Sequence, residues 1–226
     1  GVNPSSVDYT VTGGTATGSG TDFTLAAGTV NFPAGTTTGS FSFSINSETL
    51  FEADENIIIT LSNPVNANLD NTMPFAGTGF ITHTYTINND DTAPTIQFNS
   101  TSGSGSESIT AVAIQVDLSA VSGLDASANY TLSGTATDGG VDYTLADGTV
   151  TVNAGSSTAN INAIIVNDVV EELSETMILT LSAPTNASLG GNTIFTYTIL
   201  NNSVFGFTGP GGVGGATTNV FLVRPE

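Results

Sequence analysis

The chain is a duplication. "GTATGSGTDFTLAAGTVNFPAG" at Gly14–Gly35 returns as "GTATDGGVDYTLADGTVTVNAG" at Gly134–Gly155. The same offset of 120 carries "TLSNPVNANL" (Thr60–Leu69) onto "TLSAPTNASL" (Thr180–Leu189) without a gap. A repeat of this period is one structural unit written twice, so any fold has to suit both copies. Further on the offset falls to 112, from "YTINN" at Tyr85 to "YTILNN" at Tyr197, leaving eight extra residues around "DNTMPFAGTGF" in the first copy. Running backwards, Tyr9 matches Tyr130 and Gly1 matches Ser122. Residues 95–121 then have no counterpart in the first copy, which is expected to lack its opening strands. These matches predict a first repeat over 1–91, a linker over 92–94, a second repeat over 95–203 and a glycine-rich tail over 204–226.

Period two dominates both copies. "AVAIQVDLS" alternates Val112, Ile114, Val116 and Leu118, and "TMILTLS" alternates Met177, Leu179 and Leu181. Such runs, separated by Gly, Asn, Asp and Pro, predict strands near 95–99, 111–118, 128–133, 148–153, 159–166, 176–182 and 193–200. In the first copy they fall near 29–33, 39–45, 56–62 and 80–88. The expected fold is all-β: two tandem antiparallel β-sandwiches of immunoglobulin-like type, the first without its N-terminal strands. No apolar run reaches the length of a membrane span, and no N-terminal segment has the form of a signal peptide, as in a mature or internal fragment.

Charge is the second constraint. The net charge is −19, with 20 acids against a single Lys or Arg, which is Arg224. Nucleic acid and anionic membrane surfaces both demand basic residues, so neither is an expected partner. Only 9% of residues are charged and 38% are hydrophobic, which separates the chain from disordered acidic tails. Without cysteine there is no disulfide, thiol nucleophile or thiolate ligand. Without lysine there is no isopeptide crosslink or Schiff base.

Strand direction alternates, so loops two connections apart share an end. By that parity Asp22, Glu48, Glu52, Asp54, Glu55, Asp90 and Asp91 collect at one end of the first copy. Glu107, Asp138, Asp142, Asp168, Glu171, Glu172 and Glu175 collect at the matching end of the second. Two carboxylates about 5 Å apart repel by roughly 3 kcal/mol at an effective dielectric of ~20. A cation is needed, and the protein has almost none. Calcium takes six to eight oxygens in irregular geometry, whereas zinc or copper would bring His or Cys, and His83 is the only histidine. A solvated acidic rim is the bland alternative.

Several pieces together resemble the Calx-beta domain, the calcium-binding sandwich also found in sodium–calcium exchangers and large bacterial surface adhesins. They are "GTATGSGTDF", "GTVNFPAG", "FEADENIIITLSNP" and "NNDDTAP" in the first copy, and "SESITAVAIQV", "GTATDGGVDY" and "VVEELSETMILTLSAP" in the second. The resemblance runs from Val7 to Asn202. It implies calcium ligands at Asp22, Glu48, Glu52, Glu55, Asp90 and Asp91, and in the second copy at Glu107, Asp142, Asp168, Glu172 and Glu175. Three departures bear on this. Ser47 stands where calcium-binding members often carry Asp, the first copy lacks a Glu107 equivalent, and Asn201 and Asn202 replace the terminal acids of the second.

Other motifs carry less. "TGSGTDFTL" partly fits the nonapeptide of calcium β-rolls, which need tandem units, and no EF-hand pattern occurs. Paired carboxylates could serve a glycosidase, but no tryptophan is present to line a sugar cleft. His83 is expected to be a partly buried strand residue, matching Phe195. "NST" at Asn99 resembles a glycan acceptor triplet and recurs by chance.

The expected function is non-enzymatic: an extracellular calcium-binding repeat that stiffens a stalk or adhesin on a bacterial cell surface. Its partners would be calcium ions and neighbouring domains of the same long chain, or other copies of itself. A filament subunit using strand donation, with the tail "NVFLV" as donor, and a glycan- or protein-binding module are the alternatives.

Overall fold

Alternating apolar residues become strands with one wet and one dry face. The clearest is Glu175–Thr185, in which Met177, Leu179 and Leu181 are buried and Ile178 and Thr180 lie on the half-exposed side. The computed structural model describes residues 3–69, 81–170 and 172–202. The chain divides into two units, Gly1–Thr92 and Ala93–Glu226. The tail, including the possible donor strand "NVFLV", and Glu171 lie outside the described residues.

The first unit contains β1 (Ser5–Gly14), β2 (Phe23–Thr24), β3 (Gly28–Phe32), β4 (Ser44–Ile45), β5 (Glu55–Val65) and β6 (Thr82–Ile87). The second contains β7 (Thr95–Phe98), β8 (Ser102–Ser106), β9 (Val112–Leu118), β10 (Ala126–Gly134), β11 (Tyr143–Thr144), β12 (Gly148–Val152), β13 (Thr158–Ile165), β14 (Glu175–Thr185), β15 (Ser188–Leu189) and β16 (Ile194–Leu200). There is no helix among the described residues.

In the second unit the sheets run β12-β10-β14-β16-β8 and β11-β13-β9-β7-β15. Most neighbours are antiparallel, but β8 lies parallel to β16 and β15 parallel to β7. Phe98, Ile96, Ile114, Val116, Val152, Met177 and Leu179 fill the space between the sheets, each under 2% or at 2% exposed. Each such side chain contributes about 1.5–3 kcal/mol through burial.

The first unit repeats only part of this. Its main sheet runs β3-β1-β5-β6, and β2 pairs with β4 alone. Nothing among its described residues corresponds to β7, β8 or β9. The expected strand over 39–45 therefore shrinks to Ser44–Ile45: in the second unit the matching β13 is held by its ladder to β9, and here that ladder is absent. His83 is exposed rather than partly buried, because no described strand lies on β6 where β8 lies on β16 and against Phe195, the counterpart of His83.

One detail explains an irregularity of the repeat. The offset changes from 121 at Tyr9 to 120 at Gly14, and β1 carries a bulge between Val11 and Gly13 that its counterpart β10 lacks. Thr12 is the extra residue, and its hydroxyl lies 2.7 Å from that of Thr60. A bulge absorbs one residue without turning the rest of the strand inside out.

Candidate metal centre

Each acidic cluster is anchored by a glycine-rich turn before a two-residue strand. In the first unit Ser19 and Gly20 both have positive φ, 64° and 94°, which folds the chain back on itself. The N–H of Asp22 then donates to the carbonyl of Thr17 at 2.9 Å, and the N–H of Thr17 donates to Asp22 Oδ2 at 2.5 Å. The second unit does the same with Gly139 and Gly140: Asp142 donates to Thr137 at 3.0 Å, and Thr137 donates back to Asp142 Oδ2 at 2.5 Å. The carbonyl of this aspartate also holds the neighbouring strand, accepting from Asn46 at 2.8 Å or Val166 at 2.9 Å. The aspartate is thus fixed by backbone on both sides, with its other oxygen directed elsewhere.

The glutamates come from the start of β5 and β14 and the turn just before each. Carboxylate oxygens of Asp22, Glu52 and Glu55 lie within 4.8 Å of one another, and those of Asp142, Glu172 and Glu175 do likewise. Glu48, whose carboxylate accepts from the N–H of Leu50, and Asp90 join Asp22, Glu52 and Glu55 around a cavity of about 170 Å³. Asp91 is close enough to act on Glu52. In the second unit Asp168 and Glu107 act electrostatically on the same group. The structure thus gathers all eleven sequence-predicted residues into two places, three of each set at the centre and the remainder around them.

Electrostatics shows what the clusters lack. Burial pushes the Glu55 carboxyl up to about 7, helped by a hydrogen bond with Asp22 and repulsion from Asp22, Glu52 and Glu48. Burial likewise pushes Glu175 up to about 7, with Asp142, Glu172 and Glu107 adding to it. Glu52, Glu107 and Glu172 are raised in the same direction, first by burial and then by neighbouring carboxylates. No donor reaches the buried Oε2 of either Glu55 or Glu107. Orphaned buried carboxylate oxygens in an all-oxygen cluster suit a hard cation. Neither His nor Cys takes part, which disfavours zinc and copper.

Two further residues shape the sites. Asn89 accepts from the N–H of Glu52 at 3.2 Å and donates to the carbonyl of Asp91 at 3.1 Å. Asn201 donates to the carbonyl of Glu172 at 2.6 Å. The strand register pairs Glu55 with Ile87 and Glu175 with Ile199, so Asn201 corresponds to Asn89, Asn202 stands in place of Asp90 and Ser203 in place of Asp91. Sequence reasoning missed this pair, although Asn89 and Asn201, each four residues after Tyr85 and Tyr197, marked it. Asp54 has a local task, accepting from the N–H of Asn89 at 2.9 Å. Asp138 does likewise for Leu145 at 3.2 Å.

The Calx-beta domain profile matches residues 3–84 and again residues 89–202. Similar solved structures include the apo form of the Calx CBD1 domain, 21% identical, covering 50% of this chain and 100% of that one at a TM-score of 0.46. CBD12 from CALX1.2 is 21% identical, with 88% of each chain covered and a TM-score of 0.43. The calcium binding domain CBD12 of CALX1.1 is 21% identical, with 86% of each covered and a TM-score of 0.40. No curated protein matches the chain.

Proposed function

The chain belongs to the Calx-beta domain family, and from that membership we propose that both of its repeats bind calcium in a non-enzymatic, structural role. One observation carries this reading: the same three carboxylates converge in each unit, Asp22–Glu52–Glu55 and Asp142–Glu172–Glu175, and no basic side chain approaches either among the described residues. Asp22, Glu48, Glu52, Glu55, Asp90 and Asp91 would hold ions in the first unit. Glu107, Asp142, Asp168, Glu172 and Glu175 would do so in the second. Calcium supplies the positive charge that lets these carboxylates stay ionised together. Asn202 offers a carbonyl oxygen but no charge, so the second unit takes fewer ions or binds them more weakly.

In this reading the chain is a stalk or adhesion segment of an extracellular bacterial surface protein, stiffened where calcium loads it. Extracellular calcium is high enough to fill sites with dissociation constants of about 10⁻⁴–10⁻³ M. No described helix is long and apolar enough to cross a membrane. Calorimetric titration of the chelator-treated chain, with melting temperatures in parallel, tests the proposal. Saturable binding and a large rise in melting temperature are expected; neither would occur if the acids were a solvated rim. Stiffening is read separately, as loss of proteolytic cleavage at residues 90–95 when calcium is added, using a protease other than trypsin because Arg224 precedes Pro225.

A further inference from the structure

The loop from β13 to β14, residues 166–174, and its counterpart from β4 to β5, residues 46–54, are equally long but fastened differently. In the second unit two successive side-chain amides, just beyond β16, reach the loop. Asn202 Nδ2 donates to Asn167 Oδ1 at 2.9 Å, at the start of the loop. Asn201 Nδ2 donates to the carbonyl of Glu172 at 2.6 Å, toward its end. Between these points the N–H of Val170 donates to Asp168 Oδ1 at 2.8 Å. Uncharged donors thus bracket the stretch that delivers Asp168 and Glu172 to the acidic cluster.

The first unit keeps the loop but changes both partners of one bond. Ser47 stands at the place of Asn167 and Asp90 at the place of Asn202. Both line the cavity that Glu48 and Glu52 share. An asparagine amide has two protons to donate, whereas an ionised aspartate has none. Asp90 therefore brings a third carboxylate to the loop where Asn202 brings a donor, and like charges there push the loop and the exit of β6 apart. Asn89, at the place of Asn201, still accepts from the N–H of Glu52 at 3.2 Å, so the far end of the loop stays held.

We propose that Asn167 and Asn202 form a metal-independent clasp, standing in the second unit where the first depends on a cation. They are positioning residues: the clasp holds Asp168 and Glu172 at the cluster whether or not an ion is bound. In the first unit a divalent cation between Asp90 and Glu48 closes the loop, and its departure lets the loop open. The two units then answer calcium differently. The second receives its ion in a loop already shut, while the first uses the ion to shut it. The clasp stands on hydrogen-bond geometry alone, while the first unit's dependence rests on the calcium reading above.

The test is limited chymotrypsin digestion of the whole chain in calcium and in chelator, with the cut sites read by mass spectrometry. Leu50 and Phe51 report on the first loop and Leu173 on the second. Calcium should slow cleavage after Leu50 and Phe51 by about tenfold or more, and change cleavage after Leu173 by less than about twofold. Asn167 and Asn202 are both exposed, so replacing them leaves the core intact. In chelator Asn202→Ala should speed cleavage after Leu173 by about fivefold, the worth of one hydrogen bond. Asn202→Asp should do the same, and calcium should reverse it, because the second loop then has the first loop's chemistry. Conversely, Ser47→Asn combined with Asp90→Asn should protect the first loop in chelator. Equal cleavage after Leu173 in the parent and Asn202→Ala chains overturns the proposal. So does a parent chain whose second loop responds to chelator as strongly as its first. If calcium alters neither loop but Asn202→Ala still opens the second, the calcium reading is retired and the clasp is upheld.

Discussion

Carboxylate oxygens of Asp22 and Glu55 lie within 4.8 Å of each other, and burial together with this like-charged neighbour pushes the Glu55 carboxyl up to about 7. One lies in a turn and the other at the head of β5, and both face a third carboxylate, Glu52. A proton and a divalent cation are alternative occupants of that arrangement, and Asp142 with Glu175 repeats it in the second unit.

A pH dependence follows, with a definite sign. Glu55 and Glu175 are raised from 4.5 to about 7, so between these values the folded chain holds protons that the unfolded chain has released. In chelator their contribution to stability is complete below about pH 4.5 and is lost as pH rises through 7. Asp8, lowered by its hydrogen bonds from Thr29 and Asn63, acts oppositely but only near or below its ordinary 3.8. In calcium the order inverts, because ion binding requires the proton to leave. Melting temperatures at pH 5 and pH 8, each with calcium and with chelator, should cross; parallel profiles would refute the competition.

Replacing Glu55 or Glu175 by glutamine should have opposite effects in the two conditions. In chelator at pH 8 it removes a poorly solvated charge from a like-charged cluster and should stabilise its unit by about 1 kcal/mol, allowing for solvent screening. That corresponds to roughly 4–8 °C in melting temperature for a domain of this size. In calcium the same variant should melt lower than the parent and bind more weakly. A variant less stable in both conditions would mean that the glutamate is purely structural.

Gly134→Ala should be severe. Gly134 has φ of 124°, and a Cβ there would enter the backbone carbonyl of Thr176 at the head of β14, beside Glu175. Neither atom can yield without breaking the β10–β14 ladder. The expected loss is about 4 kcal/mol or more, seen by calorimetry as early melting of the second unit. Gly14, with φ of 122° against the carbonyl of Asn56, predicts the same for the first.

Equivalent tyrosines should be worth unequal amounts. Tyr197→Ala empties a buried site opposite Met177 and should cost about 3–5 kcal/mol. Tyr85→Ala, opposite Ile57 but 39% exposed, should cost only about 1 kcal/mol. Urea denaturation of the two variants distinguishes them. Equal costs would show that the first unit is sealed in solution.

The sandwich and its acidic ends were legible because they rest on periodicity and parity. Met177, Leu179 and Leu181 alternate plainly, and strand direction then places Glu55, Asp22 and Asp90 at one end. What escaped has a common cause. The strand Ser102–Ser106 is "SGSGS", without an apolar side chain to alternate, and its role is visible only once the Tyr197 ring lies over it. The shortening of the expected strand 39–45 was likewise invisible, since it depends on the lack of a neighbouring ladder rather than on its own residues. Asn89 and Asn201 act through hydrogen bonds to backbone, which residue chemistry alone does not announce.

The parallel pairing of β8 with β16 has a mechanical consequence. In the second unit one strand lies near the entry of the chain and the other near its exit. Tension applied to the chain would pull these two strands past each other along their length. The five paired positions from Ser102–Thr196 to Ser106–Leu200 would then bear load together, where a hairpin pulled from its open end gives way one bond at a time. A domain fastened in this way resists being drawn out lengthwise far better than being peeled from the side.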